Sequence, residues 1–468
     1  MAGKVGILVV SYGSRAASMI DAFSRSSNYD VELYIADKQR NPFNIKRAAE
    51  HLVIPDLDIR KICDFSSRYK DRIDFGIVGP EGPIINGVRD LVESETGIPV
   101  ICPTKEFAIE ESKVMQRHLL QKCFPDANPL FKVFNKREYS TLDEMKSELW
   151  GWLDYLENKV AVKPDRPGYG KGVGVWGDHF NSREELFTHF LSIYENDSVI
   201  VEEKIEGEES SFQAFCDGKS LIELPETRDY KRAFDNDEGP NTGGMGSYKD
   251  AGDFLPYMTS GDKEREVTIV NKIFRELRDG NENPGLRGIP FYTAFIHSSD
   301  GPKILEINSR GGDPEIVSLI PLIKDDFVDV CFDMIHGSLR KIGFEEKASV
   351  LTYKVPPNYG GFSSRFPEKV NTGEINTPVD LKGAYELGYG DDLRVYPGSM
   401  KLGDDKKTYA LGSRTVACVG IAGDIEGARE ISLAGVKAIT GGALWCRKDI
   451  ASREHIERSI GNMKRLRD

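Results

Sequence analysis

Gly239-Pro-Asn-Thr-Gly-Gly-Met-Gly246 is the stretch on which the reading of this chain turns. Four glycines and a proline in eight residues leave almost nothing to bury, and they predict neither a helix nor a strand. Such a segment predicts a backbone surface that another molecule approaches closely. Farther along, Ile304-Leu-Glu-Ile-Asn308 reads as an apolar strand running into Ser309-Arg-Gly-Gly-Asp-Pro-Glu315. Residues i and i+2 of a strand share a face, so Glu306 and Asn308 point together. One carboxylate and one amide oxygen suit magnesium, a hard ion that keeps several waters and completes its shell from substrate phosphates. The plainer alternative puts Glu306 on a solvated face and lets Asn308 end the strand. The flanking Ile304, Leu305 and Ile307 weigh against it, because burying an unpaired carboxylate is costly.

Upstream, Val160 to Val175 reads as two strands joined by a Gly/Pro-rich turn that Lys163 and Lys171 bracket. Amides of such a turn can face phosphate oxygens while the lysines neutralise their charge. Either lysine alone reads as a surface residue. Val199 to Phe212 begins as a strand and ends in carboxylates around Gly207. Its linker edge offers backbone hydrogen bonds to an adenine and an acidic acceptor for ribose hydroxyls, although Glu206–Glu209 alone is a solvated charge run. Arg228-Asp-Tyr-Lys-Arg232 brings three cations to the glycine loop, which suits an anionic intermediate; in isolation it is a surface turn.

A length of 468 residues leaves room for about three domains. Val5–Val10, Val31–Ala36, Phe75–Val78 and Pro99–Ile101 read as short buried strands alternating with helices, which predicts a parallel sheet. Ligands lie at the carboxyl ends of such strands, so Ser11–Arg15, Asp37 and Gly79-Pro-Glu81 share one rim. A second unit covers roughly 130 to 202. Its helices span Thr141–Leu153, opened by Ser140 with Asp143, and Leu186–Tyr194, opened by a Ser182/Glu185 capping box. The tail from about 350 carries a buried strand within Ser413–Ala422 and a helix from Ile425 to Ile439.

A net charge of −13 with no long Lys/Arg run argues against a nucleic-acid surface. No apolar run is long enough to cross a bilayer. Seven scattered cysteines without a Cys-x-x-Cys pair favour reduced thiols in a cytoplasmic protein. The seven histidines show no ligand spacing.

In order along the chain, Val78-Gly-Pro-Glu81, Pro103-Thr-Lys105, Glu111-Ser-Lys113, Gly170-Lys-Gly-Val173, Val201-Glu-Glu203 and Gly207-Glu-Glu209 precede the glycine loop. Glu306-Ile-Asn308, Gly312-Asp-Pro-Glu315, Ser413-Arg-Thr415 and Arg447-Lys-Asp-Ile450 follow it. This series resembles the ATP-grasp superfamily and, within it, the phosphoribosylamine–glycine ligase family, over nearly the whole chain. The resemblance implies an α/β and α+β multidomain fold. A Rossmann-like domain would cover 1–110 and an ATP-grasp core with a small lid at about 130–202 would cover 111–350. A mixed α/β closing domain would cover 351–468. It also implies a reaction: ATP phosphorylates the carboxylate of glycine, and the amine of 5-phosphoribosylamine attacks the acyl phosphate, giving an amide, ADP and phosphate.

The residues implied for ATP are Lys113, Lys163, Lys171, Glu202, Glu203, Ile205 and Glu209, with Mg2+ or Mn2+ on Glu306 and Asn308. Catalytic roles fall to Lys113, Lys171, Arg310 and Asp313. The substrates fall to Gly13, Ser14, Arg15, Gly79, Pro80, Glu81, Asp229, Lys231, Arg232, Asn241, Thr242, Gly243, Gly244, Met245, Gly246, Arg310, Gly312 and Asp313. Small molecules are the only partners implied, with neither nucleic acid nor membrane, for a monomer or homodimer. Four segments depart from the family pattern. Gly13-Ser-Arg-Ala-Ala-Ser18 replaces a Gly-Gly-Arg-Glu-His-Ala type sequence, and Asp37-Lys-Gln-Arg-Asn-Pro42 replaces a Pro-Gly-Asn loop. Asn308-Ser-Arg-Gly-Gly lacks the usual aromatic, and Pro164-Asp-Arg-Pro167 enters the lid turn. Three of the four fall where the amine belongs. A ligase for a different amine, or a non-catalytic nucleotide-binding protein, therefore stays open at this point.

Overall fold

The computed structural model describes residues 3–167, 172–371 and 373–468; Lys171 lies outside them. The amino-terminal unit is a five-stranded parallel sheet ordered Glu50–Val53, Tyr29–Asp37, Gly3–Val10, Phe75–Val78, Val100–Ile101. All four expected strands form. Glu50–Val53 escapes a sequence reading because it is short and none of its side chains is fully buried. The strand order reverses between Gly3–Val10 and Phe75–Val78, and in open α/β sheets ligands bind in the crevice beyond that switch point. The helix Gly13–Ser24 starts there and is buried along all but its last residue. Ala16, Ala17 and Ala22 let it lie close between the sheet and the carboxyl-terminal strand Leu393–Pro397.

The lid is an antiparallel sheet ordered Phe131–Phe134, Val199–Glu203, Val160–Pro164, Gly174–Val175. Val160, Val162, Val199 and Val201 share a core with the helices Leu142–Tyr155 and Arg183–Tyr194. Because side chains alternate along a strand, Lys163 and Glu202 project from the opposite face. The first helix is capped by Thr141, whose hydroxyl accepts from the Glu144 amide at 3.1 Å, not by Ser140 with Asp143. Ser182 accepts from the Glu185 amide at 3.2 Å, but Glu185 returns its bond to Asn181 rather than to Ser182.

A second antiparallel sheet, ordered Leu221–Glu223, Glu208–Cys216, Gly288–Ser298, Gly301–Asn308, packs on the helix Ser260–Arg278 through Phe212, Phe295, Ile304 and Ile307. Its edge strand is irregular. Ala294 faces Glu306 and Phe295 faces Ile304, so Leu305 is left unpaired in a bulge. Ile304 and Ile307, three residues apart, are therefore both buried while Glu306 stays partly exposed.

The third sheet is ordered Arg228–Asp229, Gly246–Lys249, Ala348–Lys354, Val416–Ala422, Leu393–Pro397. Residue 350, where the sequence reading divides the chain, lies inside one of its strands. The expected tail helix forms as Ile425–Ala438. The glycine stretch departs from expectation. Glu238–Asn241 pairs with Arg232–Phe234 in a two-stranded ribbon, and Gly246 opens the strand Gly246–Lys249. Pairing needs only backbone groups, and a ribbon edge tolerates Pro240 without its N–H. Only Thr242–Met245 remains loop.

Candidate active site

Lys163 and Glu202 meet at the base of the cleft between the lid and the second sheet. Lys163 Nζ donates to Glu202 Oε2 at 2.7 Å and to the bulged Leu305 carbonyl at 3.2 Å. Arg117, on the helix Lys113–Cys123, donates to Glu202 at 2.6 and 3.1 Å and to the same carbonyl at 2.7 Å. Burial would raise the Glu202 carboxyl, but Arg117 and Lys163 outweigh it and hold it at about 2. Burial lowers the Lys163 ammonium, with Arg117 adding to the effect and Glu202 opposing it. Glu202 thus positions Lys163 from beneath. Both Glu202 oxygens already accept from these two cations.

Lys113 Nζ stands 3.4 Å from Glu306 Oε1. Its helix is tied to the lid because Asp165 accepts from the Ser112 hydroxyl at 2.7 Å and the Val114 amide at 2.9 Å. The Glu306 side chain is 33% exposed and, among the described residues, has no other close partner, while Asn308 Oδ1 accepts there only a long 3.5 Å contact from Arg310. This carboxylate, lightly held by Lys113, and the neighbouring amide oxygen are hard oxygens that fit a magnesium ion finished by phosphates. Among the described residues no group of three or more His, Cys, Asp or Glu could hold a metal alone. On the linker, Glu203 accepts from the Leu130 amide at 3.0 Å, whereas the Ile205 N–H makes no hydrogen bond among the described residues.

Arg310 joins the amino-terminal rim to the core. It donates to Glu81 at 3.0 Å and Glu110 at 3.1 Å. Arg15 donates to the Gly311 carbonyl at 2.7 Å and lies 4.0 Å from Glu81. Burial, with Arg310 opposing and Glu81 and Glu306 reinforcing, pushes the Glu110 carboxyl up to about 7. Gly79 lies against Ser11, where a Cβ would come within 2.3 Å of its hydroxyl; Pro80 precedes the short helix that begins at Glu81. Gly13 is open to approach, but Ser14 donates to the Tyr396 carbonyl at 3.1 Å, so its proton is committed to the fold.

The glycine loop closes the far side. Gly244 has φ +102°, and a Cβ there would lie 2.6 Å from both Asp229 Oδ1 and Pro314, so only glycine fits. Arg414 Nη1 donates to the Gly243 carbonyl and, at 2.6 Å, to the Asp313 carbonyl; Asp313 Oδ1 accepts from the Tyr353 hydroxyl at 2.6 Å. Thr242 braces the loop by donating to the Lys231 carbonyl at 2.8 Å, and Gly312 donates to Gln213 at 2.8 Å. Asp229 Oδ1 has no partner among the described residues, and Lys231 stays 3.9 Å from its other oxygen. Burial and Glu315 push the Asp229 carboxyl up to about 8, against Lys231 and Arg414. Lys231 is engaged by the Glu209 carboxylate.

Arg232 donates to the Gly239 carbonyl at 2.9 Å and lies 3.5 Å from Asp178 of the lid, linking the two. Asn241 sits in the ribbon. Met245 and Gly246 lie behind the loop. Met245 is fully buried with its amide and carbonyl both paired, and Gly246 packs on the Leu351 carbonyl, so both shape the loop without facing the cleft. Reading residue types missed Glu110, Arg117 and Arg414. The first two sit in segments without a motif, and Ser413-Arg-Thr415 marked a position but no role.

Two family models match: the N domain of phosphoribosylglycinamide synthetase over residues 5–111 and its ATP-grasp (A) domain over 129–316. A phosphoribosylamine–glycine ligase from Thermococcus kodakarensis is 33% identical over 98% of this chain and 99% of its own. The crystal structure of the Thermotoga maritima phosphoribosylamine–glycine ligase superposes with a TM-score of 0.72 at 22% identity, covering 95% of this chain and 100% of that one. The biotin carboxylase domain of the Hydrogenobacter thermophilus 2-oxoglutarate carboxylase, solved with magnesium ADP and bicarbonate, gives 0.65 at 16%, covering 98% and 93%. Whole-length identity of this order, joined to two matched domains and a cleft of this build, makes the chain a member of the phosphoribosylamine–glycine ligase family.

Proposed function

We propose that the chain forms glycinamide ribonucleotide from glycine and 5-phosphoribosylamine, with ATP converted to ADP and phosphate, in purine biosynthesis. A carboxylate accepts no amine until one oxygen becomes a leaving group. A glycine carboxylate oxygen therefore attacks the γ-phosphorus of ATP, and ADP leaves. The amine nitrogen then attacks the carbonyl carbon of glycyl phosphate, phosphate departs, and the nitrogen sheds a proton. Bringing an anion to a polyanion needs neutralisation and alignment more than a covalent nucleophile. Lys113 and Lys163 supply cations on the nucleotide side, held to fixed positions by Glu306, Glu202 and the Leu305 carbonyl. Glu306 and Asn308 would hold magnesium, which would supply positive charge to offset that of the phosphates; manganese shares the same preference for oxygen ligands. The Glu203–Ile205 linker offers its free amide to the adenine.

On the acceptor side, Arg310 and Arg15 are assigned to anionic groups at the rim. Asp313 and Arg414 fix the loop around the reacting carbonyl. Asp229 Oδ1 is an acceptor for an N–H of either amine-bearing substrate. The lid, tied to the core through Asp165 and through Asp178 with Arg232, would keep water from the acyl phosphate. The seven free thiols fit a reducing, cytoplasmic setting.

One observation carries this reading: Lys163 and Arg117 converge on the bulged carbonyl next to Glu306, which puts cations and a metal-suited carboxylate on one cleft wall. ADP release with phosphoribosylamine and glycine tests it. Turnover that requires both substrates supports it. Turnover only with a different amine would move the assignment to another acceptor, and no ADP with any amine would end it.

A further inference from the structure

The segment Asp37–Pro42, one of the departures from the family pattern, builds a contact and a cavity that the reaction does not use. Asn41 donates to the carbonyls of Pro397 at 2.9 Å and Gly398 at 3.0 Å, and Gln39 donates to Gly398 at 2.7 Å. This clamp sets the short helix Pro42–Arg47 beside the carboxyl-terminal unit, and a cavity of about 230 Å³ opens between them. Phe43, Arg47, Tyr385, Tyr389, Arg394 and Tyr396 line it. The Arg47 guanidinium stacks 3.5 Å from the Phe43 ring centre and joins no ion pair among the described residues. Arg394 reaches the exposed Asp391 at 2.8 Å and Asp21 at 3.9 Å, yet its Nε is buried without a partner among the described residues. Asp21 is already held by Arg25 at 3.3 Å and the Tyr396 hydroxyl at 2.9 Å, so it leaves Arg47 unneutralised. Tyr385 and Tyr389 are 56% and 41% exposed, aromatic faces that no core requires.

We propose that this cavity binds a small aromatic anion of the nucleoside monophosphate class, with its phosphate at Arg47 and Arg394 and its ring against Tyr385 and Tyr389. Guanidinium groups pair with phosphate through fixed forks of N–H donors, and tyrosine faces take flat rings. The volume suits one such molecule. The overall charge of −13 opposes a nucleic-acid strand. Tyr396, which lines the cavity, touches the helix Gly13–Ser24 through Ser14 and through Asp21.

Equilibrium dialysis of the full chain against adenosine 5′-monophosphate, with adenosine and inorganic phosphate as partial probes, tests the assignment. Because the ATP cleft also accepts adenine nucleotides, Lys163→Ala serves as the background in which the second site is counted. One site per chain is expected to survive Lys163→Ala. It is expected to weaken about tenfold or more in Arg47→Ala, since a charge-assisted hydrogen bond to the phosphate is lost. Tyr389→Ala should weaken it as well; both side chains are exposed, so both variants should fold. Binding of the monophosphate unchanged by Arg47→Ala and Tyr389→Ala would overturn the proposal. Phosphate binding as tightly as the nucleotide would overturn it too, because the rings would then contribute nothing.

Discussion

Around Lys163, two buried cations share the single carboxylate of Glu202, whereas around Asp229 three carboxylates (Asp229, Glu209 and Glu315) crowd against Lys231 and Arg414. The two walls of one cleft therefore lean electrostatically in opposite directions. Cations dominate where triphosphate oxygens would arrive. Acceptors for N–H groups dominate where an amine and an amino acid would arrive. On the nucleotide wall Glu202 is held at about 2, while on the acceptor wall Glu110 and Asp229 stand at about 7 and about 8. The difference shows that charge neutralisation is built into the scaffold on one side and left to titrating groups on the other.

The largest effect expected on that contrast comes from Glu306→Gln, which should lower ADP release by about 10³-fold with little change in thermal unfolding. Near-normal turnover would detach Glu306 from the nucleotide wall. Next, Glu202→Ala strands Arg117 and Lys163 in a buried site and should cost about 3–5 kcal/mol in urea unfolding. A loss below about 1 kcal/mol would mean that the triad is solvated. Arg414→Ala should raise the KM of glycine or of the amine about tenfold while leaving that of ATP alone; a rise confined to ATP would place Arg414 on the wrong wall.

The pH dependence of stability separates the walls by sign. Asp229 binds its proton more tightly folded than unfolded, where a carboxyl titrates at about 4. Its contribution is therefore complete below pH about 4 and is lost as the pH rises toward about 8. Glu202 runs the other way: its contribution is present above about 4 and lost as the pH falls toward about 2. Asp229→Asn should flatten the decline in unfolding free energy between pH 5 and 8 seen by urea titration. An unchanged slope would remove Asp229 as its source. The smallest effect is in the lid, where Ser182→Ala removes the hydroxyl that accepts from Glu185 and should cost about 1 kcal/mol.

The parallel sheet was legible because each of its buried strands is a short apolar run between helical stretches, and Glu306 with Asn308 was legible because a strand has period two. The bulge at Leu305 was not. It arises from pairing with Gly288–Ser298, and no residue type in Ile304–Asn308 demands it, yet it aims the carbonyl that Lys163 and Arg117 share. Arg117 lies in an ordinary helical segment, and only the fold brings it to Glu202. Lys163 showed the converse. Its place beside a glycine-rich turn suggested phosphate contact, whereas the carboxylate that fixes it came from a different strand. The glycine stretch reads as neither helix nor strand, but its flanks pair as strands because hydrogen bonding along the backbone asks nothing of side chains.

The sheet that carries Arg228–Asp229 and Gly246–Lys249 has a timetable as well as a shape. Its inner partner Val416–Ala422 and its edge Leu393–Pro397 leave the ribosome long after the hairpin they support. During synthesis the grasp for nucleotide can assemble from residues already made, while the acceptor wall waits for Arg414 to fasten Gly243. A nascent chain interrupted before that point would hold half a cleft, so chaperone dependence and proteolytic sensitivity during translation should concentrate on residues 228–249.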